Sequence, residues 1–205
     1  MLGRAAVAMW WDAAPRMRAE IEDWHTHEHM PERLGIPGFL RGSRWSAVSG
    51  KPSFFVLYET KTLKTTTTGA YLHRLNHPTP WSRKMMPQHL NMVRSLCRVR
   101  ASAGHGLGRA IATIRFSSRR KLPSLRKLAA RKGLAAAHLL ESLPPSGIPH
   151  TVERGLRSGD RAAERILLVC GYDEKSVTAA ARALRLGKTD VYRLAFALTP
   201  ADLHR

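Results

Sequence analysis

The sequence predicts an α+β fold built from two successive repeats of the order β-α-β-β-α-β, and three observations lead to this prediction. A short motif opens both halves of the chain: GRAAVAM begins at Gly3 and GRAIATI at Gly108. Patterns typical of buried strands stand at corresponding places, FFVLYET from Phe54 and ILLVCGY from Ile166. Helical patterns separate these strands in the same order in both halves. We therefore expect two copies of the same β-α-β-β-α-β unit.

The elements of the first half follow from local patterns. Ser49 to Pro52 reads SGKP, a turn that separates two strands, and Pro78 and Pro80 separate two helices. Pro31 is expected to end the first helix, since proline lacks the N–H that the helical ladder needs. The predicted order is a strand at AAVAMWW, a helix over 15–30, strands over 39–48 and 54–60, helices over 70–76 and 83–89, and a strand over 93–101.

The second half repeats this order with weaker signals. Asp173 is expected to cap its second helix, and Glu174 adds a negative charge that favours the helix N-terminus. The predicted elements are a strand over 111–116, a helix over 123–132, strands over 136–142 and 164–172, a helix from 173 to about 184, and a strand over 191–198.

Each repeat has the split βαβ order of ferredoxin-like folds, a four-stranded antiparallel sheet with two helices on one face. The other face of such a sheet is apolar and needs a partner. We expect residues 1–103 and 108–205 to form two such repeats packed sheet to sheet as one barrel-like body. The alternative, two separate domains joined at Ala103–Leu107, is less favourable because domains of this size are marginally stable alone.

Composition excludes several classes of protein. Apolar residues make up 43% of the 205, which is typical of a globular chain. No apolar run is long enough for a membrane-spanning helix, so no membrane partner is expected. The two cysteines, Cys97 and Cys170, lie within apolar strand patterns, which favours a reducing compartment and predicts a cytoplasmic location.

The formal net charge of +19 is the strongest feature of the composition. Its densest part, Arg115–Lys132, has basic residues and no acidic ones. Aromatic residues do not alternate with this run, and no nucleic-acid motif occurs, so specific nucleic-acid binding is not expected. Solvated basic faces, with at most non-specific electrostatic binding, are the simpler interpretation.

The segment from Trp24, W-H-x-H-E-H-M-P-E-R…P-G-F-x-R-G, followed by a strand ending Y-E-T, resembles the dimeric α+β barrel superfamily and, within it, the EthD-like proteins. AYLHRLNHPTPW (70–81) is similar to a segment of the same group. The superfamily includes cofactor-free monooxygenases, lactone isomerases, polyketide cyclases and haem-binding enzymes. The resemblance implies a pocket between sheet and helices, with His29, or His25 one turn earlier, facing it.

On a regular helix of about 100° per residue, the three histidines are not equivalent. The apolar stripe is formed by Met17, Ile21 and Trp24. Glu28 falls in the middle of this stripe, His25 and His29 lie together on its flank, and His27 points away to solvent. A buried carboxylate must be paired or hydrogen-bonded. Catalysis by His25, Glu28 and His29 as acid/base groups is one interpretation.

Two other interpretations of Glu28 remain open. It could form a buried ion pair with Arg41 or Arg44 of the second strand, or pair with His25 on its own helix. Histidines at i and i+4 with a nearby glutamate, Glu28 or Glu32, also resemble half of a zinc site, but no second cluster supplies further ligands unless the fold brings His73, His77 or His89 there. No cofactor is expected, although a haem or a divalent metal ion stays open.

Alternation along the second strand places Arg41 and Trp45 on one face and Arg44 on the other, without showing which face is interior. Arg41, Arg44, Trp45 and, from the third strand, Tyr58 are the expected substrate-binding residues. The function predicted first is proton-transfer chemistry on a small aromatic or carboxylated molecule, of isomerase, cyclase or cofactor-independent oxygenase type. The alternative is a non-catalytic ligand-binding or assembly module. A homodimer also remains open.

Overall fold

The computed structural model describes residues 1–117, 121–144, 151–156 and 163–204, and its centre is a closed antiparallel barrel of eight strands. The strands are β1 (Ala5–Asp12), β2 (Phe39–Ala47), β3 (Phe54–Thr60), β4 (Leu90–Gly104), β5 (Ala110–Phe116), β6 (Leu134–Ser142), β7 (Arg165–Gly171) and β8 (Lys188–Leu198). All eight predicted strands are confirmed, with ends that differ by a few residues. The longest, β4, continues into the segment that was expected to be the linker.

The two halves of the barrel have the same strand order. The first half runs β4-β1-β3-β2 and the second runs β8-β5-β7-β6, which is the ferredoxin-like order in each case. Two antiparallel pairs, β2 with β8 and β4 with β6, join the halves and close the barrel. The expected tandem ferredoxin-like body is therefore confirmed. The division into domains at 1–103 and 108–205 stays a prediction.

Helices cover the outside of the barrel. They are α1 (Arg18–Trp24), α2 (Met30–Leu34), α3 (Gly69–Asn76), α4 (Pro80–Met85), α5 (Leu125–Ala129), α6 (Val152–Gly155) and α7 (Glu174–Leu184). A π-helical turn, His25–His29, joins α1 to α2 without a break. Single 3-10 turns lie at Pro15–Met17, Leu63–Thr67, Met86–Gln88 and Pro200–His204. The short helix α6 was not predicted.

The prediction that Pro31 ends the first helix is wrong, since the chain stays helical through Leu34. The π turn explains how the helix continues past Pro31. The backbone N–H of Met30 donates to the carbonyl of His25, five residues back instead of four. The extra residue in this turn separates the proline ring from the preceding carbonyl groups, the contact that usually makes proline a helix breaker. Pro31 then occupies the first turn of α2, where its missing N–H is tolerated.

Aromatic side chains fill the barrel interior. Trp10 and Phe55 stack with ring centroids 5.0 Å apart, and Phe55 lies 5.7 Å from the ring of Tyr192. The indole N–H of Trp10 donates to Thr113 Oγ1 at 3.0 Å across the interior, from one repeat to the other. The two repeats thus share one interior core, and a separate core lies between each sheet and its helices.

The register of β2 shows which of its two faces lies inside the barrel. Arg41 pairs with Glu59 of β3, and Trp45 pairs with Phe55, whose ring points into the barrel. Trp45 belongs to the interior core, so Arg41 and Trp45 share the interior face. Arg44 lies on the opposite face, under the helices.

Three further expectations concern the rest of the chain. Cys97 and Cys170 are free and buried, and burial raises the pKa of each thiol to about 12, which makes them poor nucleophiles. Within the ranges described, no helix has the length and apolar character to cross a membrane. Part of the basic run Arg115–Lys132, residues 118–120, lies outside the described residues.

Candidate functional site

The π turn brings His25 and His29 of the α1–α2 helix to its sheet-facing side. His25 is 1% exposed and His29 6% exposed, and their ring centroids lie 5.4 Å apart. Trp24 is fully buried beside them, with its ring 4.5 Å from that of His29. His27 is exposed, as predicted. The two buried histidines therefore form one aromatic layer over the sheet.

His25 is held in its neutral form. Burial and, next, the nearby cation Arg44 lower its pKa well below the usual 6.5. Its Nε2 lies 3.4 Å from the hydroxyl of Tyr58 on β3, and burial raises the pKa of that hydroxyl above its usual 10. Both groups are thus uncharged at neutral pH. The other ring nitrogen of His25, Nδ1, is buried and has no hydrogen-bond partner among the described residues.

A small cavity of about 30 Å³ lies between the first sheet and its helices, next to His29. Its polar wall is formed by His29, Arg33, Tyr58, Tyr71, Arg94 and Glu153. Its apolar wall is formed by Val7, Met9, Phe39 and Leu75. Small-molecule sites usually measure about 300–1,000 Å³, so this cavity is about a tenth of the size that a ligand needs. A ligand can enter only if one of these side chains moves.

An ion pair between Arg33 and Glu153 crosses this cavity. Arg33 Nη2 donates to Glu153 Oε1, and the side chain of each residue is 3% exposed. Arg33 belongs to α2, whereas Glu153 lies on α6 of the second half, so the pair joins the two repeats. Arg33 also lies over the ring of Tyr71 at 5.9 Å, and Arg94 Nη2 donates to the hydroxyl of Tyr71 at 3.3 Å.

Glu28 lies on the predicted face of the helix, but its partners differ from the predicted ones. The stripe of Ile21 and Trp24 packs against α4. Glu28 is half-buried on the same side, and it accepts hydrogen bonds from Trp24 Nε1 at 3.0 Å, Thr79 Oγ1 at 2.5 Å and Ser82 Oγ at 3.2 Å. Its carboxylate ties the π turn to α4, and neither predicted arginine pairs with it.

The four expected substrate-binding residues divide between the two faces of the sheet. Tyr58 lines the cavity. Arg44 lies on the same face but holds α1, with Nη1 donating to Glu22 O at 2.8 Å and to Thr26 Oγ1 at 3.0 Å. Arg41 and Trp45 lie inside the barrel, where Arg41 Nε donates to Glu59 at 2.7 Å. The structure thus brings His25, His29 and Tyr58 together and separates Arg41 and Trp45 from them.

His89 is a neighbour of the site that sequence reasoning treated only as a remote metal ligand. Its ring lies 4.8 Å from that of Trp11 and 5.7 Å from that of Trp24. His73 of α3 and His77, directly after this helix, stack on each other at 4.1 Å. Among the described residues, no group of three or more His, Cys, Asp or Glu side chains is arranged to hold a metal ion.

Two larger clefts lie at the surface. One, of about 560 Å³, opens at the end of the barrel beside Asp12 and Arg115. The other, of about 490 Å³, lies between α2 and α3 beside Glu32 and His73. Neither is lined by a residue of the predicted acid/base set, so the chemistry of the chain points to the smaller, buried cavity.

Comparison with known proteins identifies the fold. No protein-family model and no curated protein matches the chain. Among solved structures, an anthrone oxidase-like protein superposes with a TM-score of 0.61 at 11% identity, covering 96% of this chain and 92% of its own. A candidate monooxygenase from Fusobacterium nucleatum subsp. nucleatum gives a TM-score of 0.56 at 8% identity, with 97% and 96% covered. A candidate chlorite dismutase gives 0.51 at 12% identity, with 98% of each chain covered.

Proposed function

We propose that this chain, which has the dimeric α+β barrel fold, binds a small aromatic or carboxylated molecule between its first sheet and the covering helices, and transfers a proton on that molecule through His29 and His25. The observation that carries the proposal is the pair of buried histidines, one lining a cavity and the other in contact with a buried tyrosine. The side chains of this layer are buried, which strengthens each polar interaction within it.

The chemistry follows from the neutral state of His25 and Tyr58. A neutral imidazole accepts a proton, and a neutral hydroxyl donates a hydrogen bond to the anion that forms. His29 lines the cavity and would contact the ligand, whereas His25 lies behind it against Tyr58. Arg33 adds a fixed positive charge beside the same cavity. We assign Glu28 a positioning role, since its hydrogen bonds hold the π turn against α4.

Among proton-transfer reactions, the cofactor-independent oxygenase type has additional support. Two solved structures with the same fold are named as anthrone oxidase-like and as a candidate monooxygenase. In that type of reaction a base deprotonates an aromatic substrate, and the resulting anion reacts with molecular oxygen. The step that this chain would perform is the deprotonation, for which no resident cofactor is needed.

The alternative, a non-catalytic ligand-binding or assembly module, is favoured by the small size of the cavity. Large side chains fill most of the space between the first sheet and its helices, including the fully buried Trp11, Trp24, Met30 and Met92. If the cavity never widens, the histidines serve packing alone.

The exchange of benzylic protons of anthrone in D₂O distinguishes the two functions, since it measures deprotonation without requiring oxygen. Under anaerobic conditions the wild type is expected to accelerate exchange, and His29→Ala and His25→Ala each to lower the rate by about a hundredfold or more. His27→Ala is the matched control, because His27 is an exposed histidine of the same turn. Circular dichroism records folding of each variant separately. Equal rates for wild type and both buried-histidine variants, with all of them folded, would refute the catalytic role.

A further inference from the structure

We infer that Arg33 recognises the carboxylate of a small aromatic acid, and that Glu153 of the second repeat occupies the same position until such a ligand displaces it. This inference rests on the proposed function, because it concerns the same cavity beside His29. It adds the class of ligand and the residue that selects it. Its physical basis is the buried Arg33–Glu153 pair together with the cavity next to it.

Arg33 has hydrogen-bonding capacity that Glu153 does not use. A guanidinium presents a planar fork that matches a carboxylate with two parallel hydrogen bonds. Glu153 accepts from Nη2, whereas Nη1 is buried and has no hydrogen-bond partner among the described residues. A buried donor without a partner is costly, and a bound group that accepts its hydrogen bond removes that cost. A free carboxylate can turn to engage both nitrogens, which Glu153, fixed to a helix, does not do.

The segment that carries Glu153 is short. The helix α6 has four residues, Val152–Gly155, and Val152 is 40% exposed. The backbone N–H of Val152 donates to Asn76 Oδ1 at 3.2 Å, an exposed hydrogen bond. Leu156, directly after α6, is partly buried against the core beside α1 and α4. Displacing Glu153 therefore requires a shift of this short helix, with another carboxylate replacing Glu153 on Arg33.

The walls of the cavity favour an aromatic ring attached to that carboxylate. Phe39 lies between two tyrosine rings, 5.6 Å from Tyr71 and 5.8 Å from Tyr58. Aromatic rings prefer such edge and offset contacts at about 4.5–7 Å. The space that the Glu153 side chain vacates is continuous with the cavity, since Glu153 lines it. A ligand bound to Arg33 would place its ring among these aromatics and its far edge towards His29.

Benzoate is the test ligand, and benzamide, which has the same shape without the charge, is the control. In Glu153→Gln the internal carboxylate is replaced by a neutral amide of the same size. We expect calorimetry to show at least about tenfold tighter benzoate binding to Glu153→Gln than to the wild type, and no gain for benzamide. Adding Arg33→Gln should abolish the gain. Glu32→Gln is the control substitution, since Glu32 pairs with Arg74 on the outer side of the same helix.

Equal benzoate affinity in the wild type and in Glu153→Gln would overturn the inference, as would an equal gain for benzamide, which would indicate only a larger apolar cavity. If Glu153→Gln does not fold, hydrogen exchange of the wild type decides instead. Benzoate should then accelerate amide exchange in residues 152–156, and unchanged exchange at saturating benzoate would refute displacement.

Benzoate has no exchangeable benzylic proton, so its binding is independent of catalysis. Benzoate binding without anthrone exchange would refute the proposed function and leave this inference standing.

Discussion

Removing Glu153 tests the importance of the ion pair between the repeats most directly. In Glu153→Leu, Arg33 keeps a positive charge that is 97% removed from solvent, since its side chain is 3% exposed. Breaking a buried pair by removing one partner typically lowers the free energy of unfolding by about 3–5 kcal/mol. The stability of a natural domain is about 5–15 kcal/mol, so the variant should remain folded with a much smaller margin.

The double variant Arg33→Met/Glu153→Leu separates the cost of the unpaired charge from the loss of packing. Replacing both partners by apolar side chains of similar volume is commonly neutral or stabilising by about 1–4 kcal/mol. We expect urea denaturation to show that the double variant recovers most of the stability that Glu153→Leu loses. Glu32→Leu, which breaks the half-exposed pair with Arg74, should cost less than about 1 kcal/mol. A loss below about 1 kcal/mol in Glu153→Leu, or losses that add in the double variant, would refute the buried pair.

Three further predictions concern the α1–α2 helix and the strand beneath it. Because the pKa of His25 is lower in the folded protein than the 6.5 of an unfolded chain, the stability that neutral His25 provides is full above pH 6.5 and is lost as the pH falls below it. Urea denaturation at pH 7.5 and 5.0 should show a smaller loss in His25→Leu than in the wild type, whereas His27→Leu should behave like the wild type. Glu28→Ala should lower the unfolding free energy by about 1–3 kcal/mol because it leaves buried donors unpaired, and an unchanged melting temperature would contradict its positioning role. Gly42→Ala should cost about 1–3 kcal/mol, since the added Cβ would lie 2.9 Å from Met30 Sδ, and a stability equal to wild type would show that the helix moves freely over β2.

The strands were predictable because short segments that are apolar at nearly every position are typical of buried strands. FFVLYET is buried at every position in β3, and AAVAMWWD is buried at every position in β1. Runs that are apolar on both faces occur where a strand is covered on one side by helices and on the other by a barrel interior. The repeated order of such runs then determines the topology, since few connections of two split βαβ units are possible.

The candidate site was only partly predictable, because the partners of its side chains lie on other elements. A wheel drawn at about 100° per residue correctly separates His27 from His25 and His29. It also places Glu28 in line with Ile21 and Trp24, and the carboxylate does lie on that face, but a wheel does not show that Thr79 and Ser82 are its partners. The π turn had one possible signal in the sequence, Pro31. A proline shortly after an apolar helical pattern is compatible with a π turn as well as with a helix end.

Arg33 and Glu153 could not be paired from the sequence, since 120 positions separate them. Their contact depends on how α6 crosses from one repeat to the other, which is a property of tertiary structure. Arg33 was visible as the last residue of the W-H-x-H-E-H-M-P-E-R segment, but nothing in that segment indicates a buried partner in the second half.

The difference between the two repeats explains why the site lies in the first. On the helix-facing side of β1 the side chains are Val7, Met9 and Trp11, and the covering helix supplies histidines. On the same side of β5 the core consists of alanine and aliphatic residues with one phenylalanine. The second repeat is thus packed as a structural partner that closes the barrel. Among the described residues that line the cavity, Glu153 on α6 is the one from the second repeat, and it pairs with Arg33 of the first. A tandem chain can specialise its copies in this way, because a substitution in one repeat does not alter the other, as it would in a symmetric dimer.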